Sequence, residues 1–258
     1  MPKGAERFIQ SLAREGGDLA WKHFGTARVA YTKSKHPTDV VTKADFACER
    51  LIRLRIKKQY PTHGIIGEEF DETNHNAEYT WIIDPIDGTL NFSTSVPMFC
   101  TMVALAHKGE VILSAIYIPL TKELFFAKKE GGAYCNGKRI RTSAMTNWKQ
   151  SLGCGPATLR SKALTFLKRF FAGAEKGQFT LHIYGTIAGA CYVASGRRDW
   201  FVSFNGKVWD YAPAYLLMTE AGCVATDTKG RAWKLGVNEL IAANPRLHKE
   251  LLTLTKNI

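Results

Sequence analysis

The chain has 258 residues, of which 45% are hydrophobic and 11% aromatic, and its 35 Lys+Arg against 23 Asp+Glu give a formal net charge of +12. That length and apolar content suit one large domain or two closely packed halves, and they exclude a disordered, collagen-like or disulfide-stapled chain. No apolar run approaches the roughly 18–20 residues of a membrane span, and Glu6, Arg7, Arg14 and Glu15 interrupt the N-terminal segment, so neither a secretory signal nor a membrane partner is expected and the protein reads as cytoplasmic.

Ile9, Leu12, Leu19, Ala20 and His23 recur at mostly helical spacing, in a first helix weakened by Gly16 and Gly17. Pro37 imposes an extended or turning chain on the polar stretch 32–39. Thr42 followed by Asp45 reads as the cap of a second helix, with Ala47, Leu51 and Leu54 as its apolar stripe and Pro61 as its stop. Arg50, Arg53, Arg55, Lys57 and Lys58 cluster on that helix and read as a solvated face. Short β-like runs follow at 64–67, 80–84, 99–106, 111–118 and 123–127. After Gly131-Gly132 the pattern alternates: helix 161–171, strand 178–184, helix 186–195, strand 199–203, helix 209–221, strands 222–226 and 239–243, helix 246–256. Strand runs first and mixed elements second predict an α+β fold, with halves at about 1–144 and 145–258 meeting over a continuous interface in one domain.

Cys48, Cys100, Cys135, Cys154, Cys191 and Cys223 are scattered, with no CxxC or short Cys/His cluster, so they read as reduced and buried and zinc is excluded. The informative segment is WIIDPIDGTLNF (81–92). An apolar strand runs into Asp84, a Pro/Gly turn presents Asp87, and the amides after Gly88 enter a helix, a pattern suited to hard cations and a phosphate together. Glu68 and Glu69 end another apolar strand, pointing to different sides, and Asp210 opens a long apolar helix. Taken singly, each has a plainer reading: a solvated acidic turn for the glutamates, an N-cap for Asp210, a capping-box acid for Asp45. Taken together, acidic side chains at four element termini match the oxygen-only ligand set of two or three Mg²⁺ ions. No P-loop, GxSxG or Rossmann glycine pattern is present.

GEE (67–69), WIIDPIDGTLNF (81–92) and WDYAPAYLLMTEAG (209–222) resemble the three signatures of the inositol monophosphatase family, in order. KHPTDVVTKAD (35–45) resembles its metal-gating segment and GTIAGACYVASGRRD (185–199) its glycine-led helix and following strand, so the resemblance spans essentially the whole chain. It implies the layered αβαβα sandwich of Mg²⁺-dependent, lithium-sensitive phosphatases, usually homodimeric. It implies that Glu68, Asp84 and the Ile86 carbonyl hold one Mg²⁺, that Asp84, Asp87 and Asp210 hold a second, and that a weaker third leans on Glu68. Glu69 then supports the ligands from behind. Thr89, oriented by Asp45, and Glu68 act on the attacking water. Asp87, Gly88, Thr89, Gly185, Thr186, Ile187 and Ser203 face the substrate.

Three departures stand out. Leu90 replaces the second threonine of the usual GTTNF. The family's mobile-loop lysine falls on Ser34, between Lys33 and Lys35, so its role goes unassigned. Ser203 stands seven residues before Asp210, where animal inositol monophosphatases carry a glutamate. The expected activity is that of a phosphoric monoester hydrolase acting on inositol monophosphate and related polyol or sugar phosphates. The alternatives are a fructose-1,6-bisphosphatase, a histidinol-phosphatase or a 3′-phosphoadenosine phosphatase of the same family, or an RNA-associated factor suggested by the +12 charge.

Overall fold

A computed structural model describes residues 1–26, 29–33, 40–157, 161–173 and 180–255. Helix α1 (Ala5–His23) buries Ile9, Leu12, Ala13 and Ala20. Gly16 and Gly17 are where it crosses the first sheet: a Cβ on Gly17 would stand 2.5 Å from the Tyr117 ring, so the glycines serve close approach rather than merely weakening the helix. A short hairpin of β1 (Val29–Thr32) and β2 (Val40–Thr42) follows. Helix α2 (Lys43–Gln59) starts at the expected Thr42 cap. Its buried face is Ala44, Cys48, Ile52 and Ile56, not Ala47, Leu51 and Leu54, and Leu54 is 63% exposed. The cap sets the helix phase so that Asp45 and Glu49 also point inward, which an apolar periodicity cannot register.

The first sheet runs in chain order: β3 (Gly64–Gly67), β4 (Tyr79–Asp87), β5 (Cys100–His107), β6 (Glu110–Ile118), β7 (Glu123–Lys128), β8 (Gly132–Cys135) and β9 (Lys138–Ile140). Only β3 and β4 are parallel; the other neighbours are antiparallel. The short helix α3 (Thr89–Ser93) lies between β4 and β5. The second sheet has the order β11-β10-β12-β14-β13, built from β10 (Leu152–Cys154), β11 (Thr180–His182), β12 (Trp200–Phe204), β13 (Val224–Thr226) and β14 (Glu239–Ala243). The strands β1, β2, β8, β9 and β10 were not signalled by the sequence, being three or four residues long, too short for an alternating pattern to register.

Helices α4 (Ser161–Gly173), α5 (Ala188–Ala194), α6 (Val208–Glu220) and α7 (Pro245–Thr255) complete the layers. α1 and α2 cover the outer face of the first sheet through Ile9, Leu12, Ile52, Trp81 and Leu105. α5 and α6 are buried between the sheets, where Ala190, Val193, Leu217, Ile116, Phe201 and Leu240 share one cluster. α4 and α7 close the far side over Trp200 and Ile241. The result is the expected αβαβα sandwich. Among the described residues no helix is long and apolar enough to cross a membrane.

Candidate active site

In a regular strand, residues three apart point to opposite faces. β4 avoids this with an irregularity between Asp84, paired with Met102, and Asp87, paired with Cys100, so three steps on β4 oppose two on β5. Pro85 sits inside the irregularity, where a missing N–H costs no ladder bond. The strand therefore continues to Asp87 instead of turning after Asp84, and both carboxylates converge. Asp210 joins them from the first turn of α6, its Oδ2 accepting the Lys207 N–H at 2.6 Å. Carboxylate oxygens of Asp84, Asp87 and Asp210 lie within 4.8 Å of one another.

Asp87 and Asp45 are each anchored through Oδ2. Asp87 Oδ2 accepts the Ile187 N–H at 2.6 Å, the Thr186 hydroxyl and, at 3.4 Å, the Cys100 thiol. Asp45 Oδ2 closes the cap of α2, accepting the Thr42 N–H at 2.8 Å and its hydroxyl at 2.5 Å. Its Oδ1 faces the Thr89 hydroxyl at 3.3 Å, and that hydroxyl also lies 2.9 Å from the Ile86 carbonyl. Capping acid and site acid are thus one residue. Asp84 is 1% exposed, and its Oδ1 finds no hydrogen-bond donor among the described residues.

Glu68 stands outside the close triad but near enough for its charge to raise Asp84 and Asp87. Glu68 and Glu69 do not part to different sides: Lys33 Nζ lies 2.7 Å from Oε1 of both. The pair follows the end of β3 at Gly67, where strand alternation no longer applies. Behind them Glu49 accepts the Glu69 N–H at 2.8 Å and pairs with Arg53 at 2.6 Å. Gly67 is glycine because any Cβ would collide with the Glu49 carboxylate.

Burial first, then mutual repulsion, raises these acids. Asp45 and Asp87 are pushed up to about 6, Asp210 and Glu69 to about 7, and Asp84 well above the usual carboxylate range. Burial disfavours the charge of Lys33, but Glu68 and Glu69 outweigh it and hold its pKa above the ordinary lysine value. An all-oxygen set of self-repelling acids around one unpartnered buried oxygen fits hard divalent cations.

Gly185, Thr186, Ile187 and Ser203 line one open cavity of about 190 Å³ together with Asp87 and Asp210. Gly88, at φ 90°, packs so tightly that a Cβ would stand 3.1 Å from Thr186 Cβ. Ser203 Oγ accepts the Tyr211 hydroxyl at 2.9 Å, and Tyr211 accepts the Gly206 N–H at 3.0 Å. Leu90 is exposed beside the site. Sequence reasoning missed Lys33, Glu49, Cys100 and Tyr211, which carry no local signal for their contacts. It also passed over Asn91, whose amide donates to the Met98 and Tyr184 carbonyls at 2.9 and 2.7 Å and ties α3 to the Gly185 loop. Asn91 lay within the DPIDGTLNF motif and was open to notice. Ser34, Lys35 and Asp39 lie outside the described residues.

The sequence pattern described as "Inositol monophosphatase family" matches residues 5–258. The chain belongs to the inositol monophosphatase family. It is 32% identical to an inositol-1-monophosphatase of Rhizobium meliloti, over 94% of this chain and 92% of the relative. It is 34% identical to the putative Nus factor SuhB of Neisseria meningitidis, over 94% of each chain. It is 31% identical to the fructose-1,6-bisphosphatase/inositol-1-monophosphatase of Thermotoga maritima, over 97% and 95%. The extragenic suppressor protein suhB of Bartonella henselae superposes with a TM-score of 0.91 at 28% identity, over 99% of both chains. An acidic cluster able to hold metal and a family of phosphatases therefore agree.

Proposed function

We propose that this member of the inositol monophosphatase family is a Mg²⁺-dependent, lithium-sensitive phosphomonoesterase, active as a cytoplasmic homodimer, that hydrolyses inositol monophosphate and related small polyol or sugar phosphates. The observation that carries the reading is Asp84 Oδ1, a buried oxygen without a donor amid a triad within 4.8 Å. Glu68, Asp84, the Ile86 carbonyl, Asp87 and Asp210 are the groups that would hold two or three Mg²⁺ ions. Bound there, divalent ions lower the pKa of water, neutralise phosphate oxygens and stabilise a departing alkoxide.

The protein's own groups do the positioning. Asp45, held to its cap by Oδ2, uses Oδ1 to accept the Thr89 proton, which aims the free lone pairs of Thr89 Oγ at a water. With a pKa of about 6, Asp45 is ionised at neutral pH and serves as acceptor when the water gives up its proton through Thr89. The amides beyond Gly88 face the transferred phosphate, and the Gly185–Thr186–Ile187 loop and Ser203 flank the alcohol.

A phosphate-release panel tests the reading, with myo-inositol 1-phosphate, fructose 1,6-bisphosphate, histidinol phosphate and 3′-phosphoadenosine 5′-phosphate, each with Mg²⁺ or a chelator. Mg²⁺-dependent release from the first, with the bisphosphate tolerated, is expected. Release that persists in chelator, or none from any substrate, overturns it.

A second reading, an RNA-associated role, is favoured by relatives at 32–33% identity that carry the name Nus factor SuhB and by the +12 charge. Salt-dependent RNA binding measured beside phosphate release separates the two roles.

A further inference from the structure

Helix α2 turns an unpaired basic face to solvent. Successive residues advance about 100°, so Lys43, Arg50, Leu54 and Lys57 fall within an arc of about 60°, with Lys58 about 40° beyond it. All five are exposed. Arg53 and Arg55 are engaged by Glu49 and Glu15. Lys43, Arg50, Lys57 and Lys58 have no carboxylate partner among the described residues.

Aromatic rings stand at both ends of this row. Near its start, the Arg50 guanidinium lies 5.9 Å over Phe70, Phe46 meets Phe70 edge-on at 5.6 Å, and Tyr31 beside Phe46 is 52% exposed. Past its end, Tyr60, His63, Tyr79 and His107 form a half-buried column stacked at 4.8, 5.0 and 4.5 Å.

We propose that the outer face of α2 is a binding surface for single-stranded RNA. Lys43 to Lys57 span about 21 Å at 1.5 Å per residue, a linear array that matches a polymer of phosphates and not one small phosphate, for which the cations would converge. The exposed Tyr31 ring near the start, with the half-buried ring column past the end, supplies stacking for unpaired bases, which a duplex does not offer. A lipid surface would require an apolar stripe, and this face has Leu54 alone. The proposal deepens the RNA-associated reading given above and rests on it, and it is independent of the phosphatase reading.

The test is titration of the full-length protein with a fluorescent single-stranded oligoribonucleotide across a salt series. Four phosphate contacts give a log–log salt slope of about −3, at roughly 0.7 per contact for a single strand. A variant with Arg50→Gln, Lys57→Gln and Lys58→Gln loses at least tenfold in affinity at low salt, and its slope becomes less negative by about 2. Its phosphate release from myo-inositol 1-phosphate stays at the wild-type level. Tyr31→Ala weakens binding several-fold with the slope unchanged. The single Lys57→Gln variant, at an exposed position, shows the same direction on a smaller scale and guards against misfolding of the triple variant. RNA binding that the triple and single variants leave intact overturns the α2 surface while sparing an RNA role elsewhere on the protein. No RNA binding by the wild type, or binding only to anionic lipid vesicles, overturns both.

Discussion

Asp45 and Thr89, 44 residues apart, meet at 3.3 Å across the opening of the acidic cluster, and the other oxygen of Asp45 closes the N-terminal cap of α2. Helix capping therefore fixes the orientation of the carboxylate proposed to act on the attacking water. Thr89→Ala and Asp45→Asn should each lower kcat by about a hundredfold or more with little change in KM, the range of a positioned general base. The double variant should be barely slower than either single one. Losses that multiply would show that the two residues do not act as a unit.

Asp84→Asn should abolish turnover while the chain still folds. Relieving a carboxyl that is buried and repelled by its neighbours should leave the metal-free melting temperature at or above the wild-type value. Asp210→Asn should reduce the number of Mg²⁺ ions seen by titration calorimetry by one. Full activity in Asp84→Asn, or an unchanged ion count in Asp210→Asn, would remove these residues from the ligand set.

The stability of the metal-free protein should depend on pH with a definite sign. Asp45 and Asp87, at about 6, and Asp210 and Glu69, at about 7, keep protons in the folded state that the unfolded chain releases near 4. The folded state thus binds more protons, and stability falls as pH climbs from about 4 through 7. His248, lowered to about 4 by burial, acts in the opposite direction, but it is present with and without metal. The gain in melting temperature on adding Mg²⁺ should therefore be small near about pH 5 and larger near about pH 8, because protons compete with the ion. A gain that does not vary with pH contradicts a cation seated among these acids.

Lys33 neutralises Glu68 and Glu69 at 2.7 Å each, where a cation would otherwise act. Lys33→Gln should lower metal-free stability and tighten Mg²⁺ binding several-fold by removing a tethered competitor. Calorimetry would show weaker binding instead if the lysine served to recruit the ion's water shell.

Ser203 shares its cavity with Asp87 and Asp210, and its oxygen already receives the Tyr211 hydroxyl. An uncharged wall repels a second phosphate less than a carboxylate does. Ser203→Glu should raise the preference for inositol monophosphate over fructose 1,6-bisphosphate by about tenfold, the scale of one charged hydrogen bond. A wild type that already rejects the bisphosphate by orders of magnitude would show that Ser203 does not set this choice.

Local physics made much of the fold and site legible from the residue order. The Thr42–Asp45 cap, the Pro85 and Gly88 punctuation and the apolar strands of the first sheet are short-range features that a sequence carries within a few residues. So are the carboxylates at element ends, which make Asp84, Asp87, Asp210, Glu68 and Asp45 stand out in the sequence, while their individual roles follow from the family resemblance. The phase of α2 was not legible, because it buries Asp45, Glu49 and Arg53, and polar burial is decided by partners distant in the chain. The convergence of Asp84 with Asp87 depended on a β4–β5 irregularity that exists only once both strands pair. The shared grip of Lys33 on Glu68 and Glu69, the hold of Cys100 on Asp87 and that of Tyr211 on Ser203 join residues 8 to 36 positions apart. Sequence determined which groups were present and at which element ends. Only the packed layers decided which of them face one another, since charge and hydrogen bonding act through space and not along the chain.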